Sequence, residues 1–161
     1  MWPALAGIGS LLGEGTAGFF VDSKSRAKPW GYTNGRAFFD NQTVDEVDAP
    51  YRFGVPHLRV AVLTDIGVAS SGEAIAIAFR GRPNTRSFGT ATCGLSTAVK
   101  QFPLTCAGQV LPFSQSARIA VVTDVMADRT MKKYGGVIEP DELVSDPTEV
   151  VPRAIAWLRR P

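Results

Sequence analysis

Along the first dozen residues the apolar side chains recur at helical spacing: Trp2, Leu5, Ile8, Leu11 and Leu12 fall on one side of a short amphipathic helix. Gly13 and Gly15 break that period. Three short aromatic-rich segments follow, at 18–21, 30–33 and 37–39, separated by Asp, Asn, Gly and Pro, and they predict a meander of small strands. Residues 40–54 are polar and irregular and predict a connecting loop. The pattern changes at 58–63 (LRVAVL), a β-branched and nearly continuous apolar run between turn formers, which predicts a strand buried on both faces. A loop over 64–69 separates it from 70–79 (SSGEAIAIAF), long and apolar enough for a buried helix. That helix opens on Ser70-x-x-Glu73, the form of a capping box. Beyond the turn at Arg82-Pro83-Asn84, the pattern gives a short strand at 86–89, a Gly/Thr/Ser loop over 89–97, and further strands at 110–113 and 117–125. Turns at 129–136 and 140–141 lead to a closing helix over 146–158. Asp146 is its N-cap, Pro147 its first helical residue, and Val150, Ile155, Trp157 and Leu158 its apolar face. The order of elements predicts one α/β domain over residues 1–161, without internal repeats.

Composition narrows the function classes. At 161 residues with 45% hydrophobic and 20% charged positions, the chain has the make-up of a soluble globular domain. A chain of this size buries about 68–70% of its unfolded surface and needs no metal or disulfide to hold a core. The net charge is only +2, and the basic residues (Lys24, Arg26, Lys28; Arg80, Arg82, Arg86; Lys132, Lys133) are scattered among acids. That argues against a nucleic-acid partner, which calls for one concentrated patch. No apolar run approaches the ~20 residues of a membrane span. The two cysteines, Cys93 and Cys106, with a single histidine cannot close a zinc site, so neither a metal nor any other cofactor is expected. Spacing leaves open whether the two cysteines pair or are ordinary buried residues.

A serine at the opening of a buried helix has two readings. It can merely cap the helix, its oxygen accepting a hydrogen bond from the Glu73 amide. Alternatively it is a nucleophile, since the free amides and dipole at a helix N-terminus favour the negative charge that develops when a serine attacks a carbonyl. Local physics permits both.

Three segments in order resemble the C-terminal processing (tail-specific) serine proteases: Val68-Ala69-Ser70-Ser71-Gly72-Glu73 after the apolar strand, Gly89-Thr90-Ala91-Thr92-Cys93-Gly94 after the helix, and Tyr134-Gly135-Gly136-Val137-Ile138-Glu139-Pro140-Asp141 before the last helix. The resemblance covers residues 60–158 and, less closely, the first helix. It implies the β-β-α spiral architecture of ClpP and the crotonases, a peptide or protein substrate, and an extracytoplasmic (periplasmic or secreted) location. It places the nucleophile on Ser70 and one oxyanion donor on the amide of Ser71.

The base is where this sequence departs from the family. Many members carry a lysine just after the second motif, and here Leu95 stands at that position. The doubled serine is similar instead to the lysine-lacking branch that includes the nisin-resistance protein, which takes its base from a histidine well before the nucleophile. The single histidine, His57, lies at the far end of the apolar strand, roughly 20 Å from Ser70 at ~3.3 Å per residue. Proton transfer needs ~3 Å. Lys100 lies five positions beyond Leu95 and fits the family pattern poorly. The family also has a strand and glycine-rich loop before its first helix, and Met1-Trp2-Pro3 stands where that loop would end. The chain is therefore expected to be the C-terminal part of a catalytic domain, with an exposed sheet edge that self-associates or pairs with an N-terminal fragment. Two further readings compete: a degenerate, peptide-binding member that does not catalyse, and a crotonase-type acyl-CoA enzyme, against which the Gly89–Gly94 segment argues.

Overall fold

The computed structural model describes residues 1–53, 58–103, 105–106, 109–110 and 118–160. His57 lies outside the described residues, as do 111–113 of the strand expected over 110–113 and the side chain of Cys106.

Helix α1 (Trp2–Leu12) carries the predicted apolar stripe and buries Leu5 and Leu12. A meander follows: β1 (Gly15–Asp22), β2 (Ala27–Thr33), β3 (Arg36–Phe39) and β4 (Gln42–Glu46), each antiparallel to the one before. The last of these was expected to be loop. Gln42, Thr43 and Glu46 are polar and exposed, so β4 shows no alternation; it is an outer strand that pairs with β3 and also lies against α1.

The chain then builds a second, parallel sheet from β5 (Val60–Thr64), α2 (Ser71–Ala78) and β6 (Thr85–Gly89). The strand at 58–63 is confirmed in kind but corrected in burial. It occupies Val60–Thr64 and forms one edge of its sheet, so that Leu63 is 45% exposed instead of buried on both faces. Next come β7 (Thr97–Pro103), a two-stranded ribbon of β8 (Thr105–Cys106) and β9 (Gln109–Val110), and the long β10 (Arg118–Asp128). β7 was not foreseen, because Lys100 and Gln101 interrupt any apolar pattern. It pairs antiparallel with the outer half of β10. The inner half of β10 pairs with β1, completing a six-stranded sheet of order β4-β3-β2-β1-β10-β7.

Finally β11 (Glu142–Leu143) joins β6 in parallel, giving β11-β6-β5, and α3 (Pro147–Leu158) packs on β5 and β6. The Asp146 side chain caps α3 by accepting from the Thr148 amide at 2.9 Å. The expected apolar face of α3 is only partly covered: Ala154 is buried, whereas Ile155 and Leu158 are 41% and 38% exposed.

The core lies between the six-stranded sheet and the two helices α1 and α2, with Leu5, Leu12, Trp30, Tyr32 and Ile77 at its centre. α2 packs against β10, β1 and α1, and its N-terminus follows the carboxyl end of β5 through the turn at 65–70. One glycine makes the close pairing of β5 and β6 possible. Gly89 has φ +121°, and a Cβ there would sit 2.1 Å from the Thr64 carbonyl oxygen. Gly89→Ala is expected to destabilise the domain by about 2–4 kcal/mol, measurable by urea unfolding.

Candidate functional site

The chain leaves β5 through a turn in which the Asp65 carboxylate accepts from the Gly67 amide at 2.8 Å and the Asp65 carbonyl accepts from the Val68 amide at 3.0 Å. Ala69 then closes a turn with Gly72 (2.9 Å), and Ser70 sits at its apex, exposed, as the residue immediately before α2. Its backbone has φ 49° and ψ −108°. This is outside the β-region usual for an N-cap residue, and non-glycine residues in such sparsely populated regions cost of order 1–3 kcal/mol.

What holds that conformation is Glu73, whose residue is fully buried. Ser70 and Glu73 form the capping box read from the sequence, with the Ser70 amide donating to Glu73 Oε2 at 2.9 Å. The other carboxylate oxygen does more than cap. Glu73 Oε1 accepts from Thr92 Oγ1 at 2.6 Å and from the Gly94 amide at 2.8 Å. The Thr92 hydroxyl oxygen in turn accepts from the Ile138 amide at 2.9 Å. One carboxylate therefore ties together the three segments that carry the resemblance: the serine turn, the loop after β6, and the turn before β11. Sequence reasoning saw Glu73 only as half of a helix cap. The threonine of Gly89-Thr90-Ala91-Thr92-Cys93-Gly94 was the available signal for its second partner.

Further bonds fix the same loops. The Cys93 amide donates to the Val68 carbonyl at 2.9 Å. Ser96 Oγ donates to the Gly136 carbonyl at 2.6 Å and accepts from the Gly135 amide at 2.8 Å. Asp141 anchors the far end: its carboxylate accepts from the Ser87 amide (2.7 Å), the Ser87 hydroxyl (2.8 Å) and Arg80 Nη1 (2.6 Å). Burial alone would raise the Asp141 pKa, but these donors outweigh it and hold the carboxyl below its ordinary value. A depressed folded-state pKa means that Asp141 contributes stability fully above the ordinary carboxylate value of about 3.9, and loses it as the pH falls through the folded value. Asp141→Asn should therefore be less stable than the parent at neutral pH and show a shallower further loss between about pH 5 and about pH 2 in urea melts.

In the first turn of α2 the Gly72 amide is taken by the Ala69 carbonyl and the Glu73 amide by the capping box, which leaves that of Ser71. The amide of Ser71 has no acceptor among the described residues, as expected for a helix start. The backbone nitrogen of Met1 lies 3.3 Å from Ser71 Oγ, so the N-terminal end of α1 also approaches the turn. The N-terminal ends of α1 and α2, each with its partial positive charge, thus meet at Ser71. Leu95, at the position where many relatives carry a lysine, is 53% exposed. Lys100 is exposed on β7 with its ammonium 5.5 Å from the Phe102 ring centre. No histidine or lysine among the described residues hydrogen-bonds to Ser70. Cys93 is exposed and unpaired. No group of three His, Cys, Asp or Glu among the described residues could hold a metal ion.

Residues 7–144 match Peptidase family S41. The chain belongs to this family. Similarity to individual members runs nearly end to end: it is 27% identical over 158 residues to the nisin-resistance protein of Lactococcus lactis subsp. lactis, covering 98% of this chain and 45% of that protein. A solved lipoprotein from Streptococcus agalactiae superposes with a TM-score of 0.70 at 25% identity, over 98% of this chain and 49% of that one. The photosystem II C-terminal processing protease shares the fold at a TM-score of 0.53 and 18% identity, over 95% of this chain and 35% of its own. The chain thus spans about half the length of the lipoprotein and less of the other two. Family membership agrees with the mixed α/β architecture of sheets and helices and makes a peptidase the class of activity to examine.

Proposed function

We propose that this chain carries the nucleophile-bearing part of a serine-type endopeptidase on a ClpP- and crotonase-like spiral, and that residues 1–161 are the C-terminal portion of its catalytic domain. The observation that carries the reading is the backbone of Ser70, a strained serine at a strand-to-helix turn, held there by a fully buried carboxylate. A helix cap needs no such strain, whereas a nucleophile presented at the top of a sheet commonly has it. In the proposed reaction Ser70 Oγ attacks the scissile carbonyl and its proton passes to a base. The carbonyl oxygen becomes the oxyanion, stabilised by the Ser71 amide and the start of α2. Collapse then expels the amine, which takes the proton back from the base, and leaves an acyl-Ser70 ester for water to hydrolyse.

The base is assigned to a segment beyond this chain, since Leu95 replaces the lysine of many relatives and no described histidine or lysine bonds to Ser70. The 161-residue chain assayed alone should therefore turn over peptides at least about a thousandfold below the ~10 s⁻¹ common among enzymes. An enzyme-like rate from the isolated chain would return Lys100 or His57 to consideration as the base. Pairing with an N-terminal fragment, or self-association, is favoured by the exposed arm of β7 and the outer half of β10, where Val99 and Val122 are 59% and 57% exposed.

The same lack of a bonded base favours a second reading, a peptide-binding member that does not catalyse. Intact-mass measurement of the longer protein that contains this chain, after incubation with an activated peptide ester, separates the two. The first reading expects one acyl group per chain, mapped to Ser70; the second expects an unmodified mass. An extracytoplasmic location is inferred from the relatives, one of them a lipoprotein. No helix among the described residues is long and apolar enough to cross a membrane.

A further inference from the structure

A groove of about 450 Å³ opens at the carboxyl ends of β5, β6 and β11, on the side covered by α3. Leu63, Val68, Val144, Val150 and Val151 supply its apolar lining, and Gly89 forms part of its floor. The only ionisable residue in the lining, Asp65, already has one carboxylate oxygen engaged by the Gly67 amide. The apolar surface continues outside the groove, where Ile66 and Leu143 are 72% and 68% exposed. In parallel sheets, ligands occupy the crevice outside the carboxyl ends of the strands. The β5 end of this crevice is also the start of the turn that presents Ser70.

Two observations make the groove continuous with that turn. Val68 lines it two residues ahead of Ser70, and the Val68 carbonyl is fixed by the Cys93 amide at 2.9 Å. A groove of this volume lies within the ordinary range for ligand pockets and takes one branched side chain with room for its backbone. Its walls offer methyl groups and no basic side chain to pair with an acid.

We infer that this groove receives an aliphatic side chain of the peptide substrate, one flanking the bond that Ser70 attacks, so that Val150 and Val151 set the substrate preference. The inference rests on the reading of Ser70 as the nucleophile. It assigns α3 a role in selecting substrate beyond covering the parallel sheet.

The test uses the 161-residue chain carrying Ser70→Ala, titrated with blocked pentapeptides Gly-Gly-X-Gly-Gly in which X is Gly, Val, Leu or Asp, followed by methyl NMR. The Val and Leu peptides should bind at least about tenfold tighter than the Gly and Asp peptides. Shifts should centre on the methyls of Val150, Val151 and Leu63. Val151→Asp should erase the preference, whereas Leu143→Asp, a charge placed on exposed β11 outside the groove, should preserve it. Equal affinities, no binding by any peptide, or shifts confined elsewhere would overturn the inference. Self-association lost in Val151→Asp, with no peptide binding, would give the groove to a second copy of the chain and overturn it equally. The outcome is separable from the nucleophile reading: acylation of Ser70 in the longer protein that contains this chain without an aliphatic preference defeats only the groove, and the preference without acylation of that longer protein defeats only the nucleophile.

Discussion

Ser70→Ala is expected to abolish both acylation of the chain and peptide cleavage by any longer protein that contains it, while Ser71→Ala is expected to lower them by no more than about tenfold. The difference follows from what each residue contributes. In the proposed reaction Ser70 supplies the attacking oxygen, and removal of a serine nucleophile costs several orders of magnitude in rate, leaving only what oxyanion donors and binding provide. Ser71 is proposed to contribute only its backbone amide, which alanine retains, and its hydroxyl accepts from the Met1 nitrogen at 3.3 Å. Steady-state cleavage and intact-mass acylation of the two variants, side by side, measure this contrast. Equal loss in both would shift the nucleophile by one residue.

The second large effect is expected at Glu73. Replacing it with glutamine keeps its size but turns one of its two acceptor ends into a donor, facing either the Ser70 amide or the pair formed by Thr92 Oγ1 and the Gly94 amide. Buried donors left unsatisfied cost about 1–3 kcal/mol each, so Glu73→Gln should lose about 3 kcal/mol. For a domain of this length that corresponds to a fall in Tm of roughly 6–12 °C. Reactivity of Ser70 should drop further than stability explains. At a temperature where circular dichroism shows the variant fully folded, acylation should still be slower by about a hundredfold, because release of the strained turn misplaces Oγ. Thr92→Val removes the hydroxyl between Glu73 and the Ile138 amide and should cost less, about 1–2 kcal/mol, with a correspondingly smaller effect on acylation. A Glu73→Gln chain that melts early but acylates at the parent rate would make Glu73 purely structural.

Much of this was legible in the sequence because it rested on local pattern. The stripe of Trp2, Leu5 and Leu12 defined α1, the aromatic segments defined β1 to β3, and Asp146-Pro147 defined the start of α3. Ser70 at the opening of a helix behind an apolar strand followed from the capping box and the LRVAVL run. What was missed depends on contacts between distant parts of the chain. β4 and β7 are strands because neighbours pair with their backbones, and Gln42, Thr43, Lys100 and Gln101 give no sign of it. The exposure of Leu63 reflects its place on an outer strand, which composition cannot report. Most consequential is Glu73: a carboxylate three residues into a helix reads as a cap, and only the approach of Thr92 and Gly94 from another loop reveals it as the tie beneath the strained serine.

Ser70 as an activated nucleophile is tested most directly by fluorophosphonate labelling of the protein purified from its own cells, followed by tryptic digestion and mass spectrometry. The peptide that spans residues 60–80 contains both serines, and its fragmentation assigns the adduct to one of them. Stoichiometric phosphonylation of Ser70, absent in Ser70→Ala and retained in Ser71→Ala, is the predicted result. An unlabelled protein, or a label on Ser71 or outside this peptide, would contradict it.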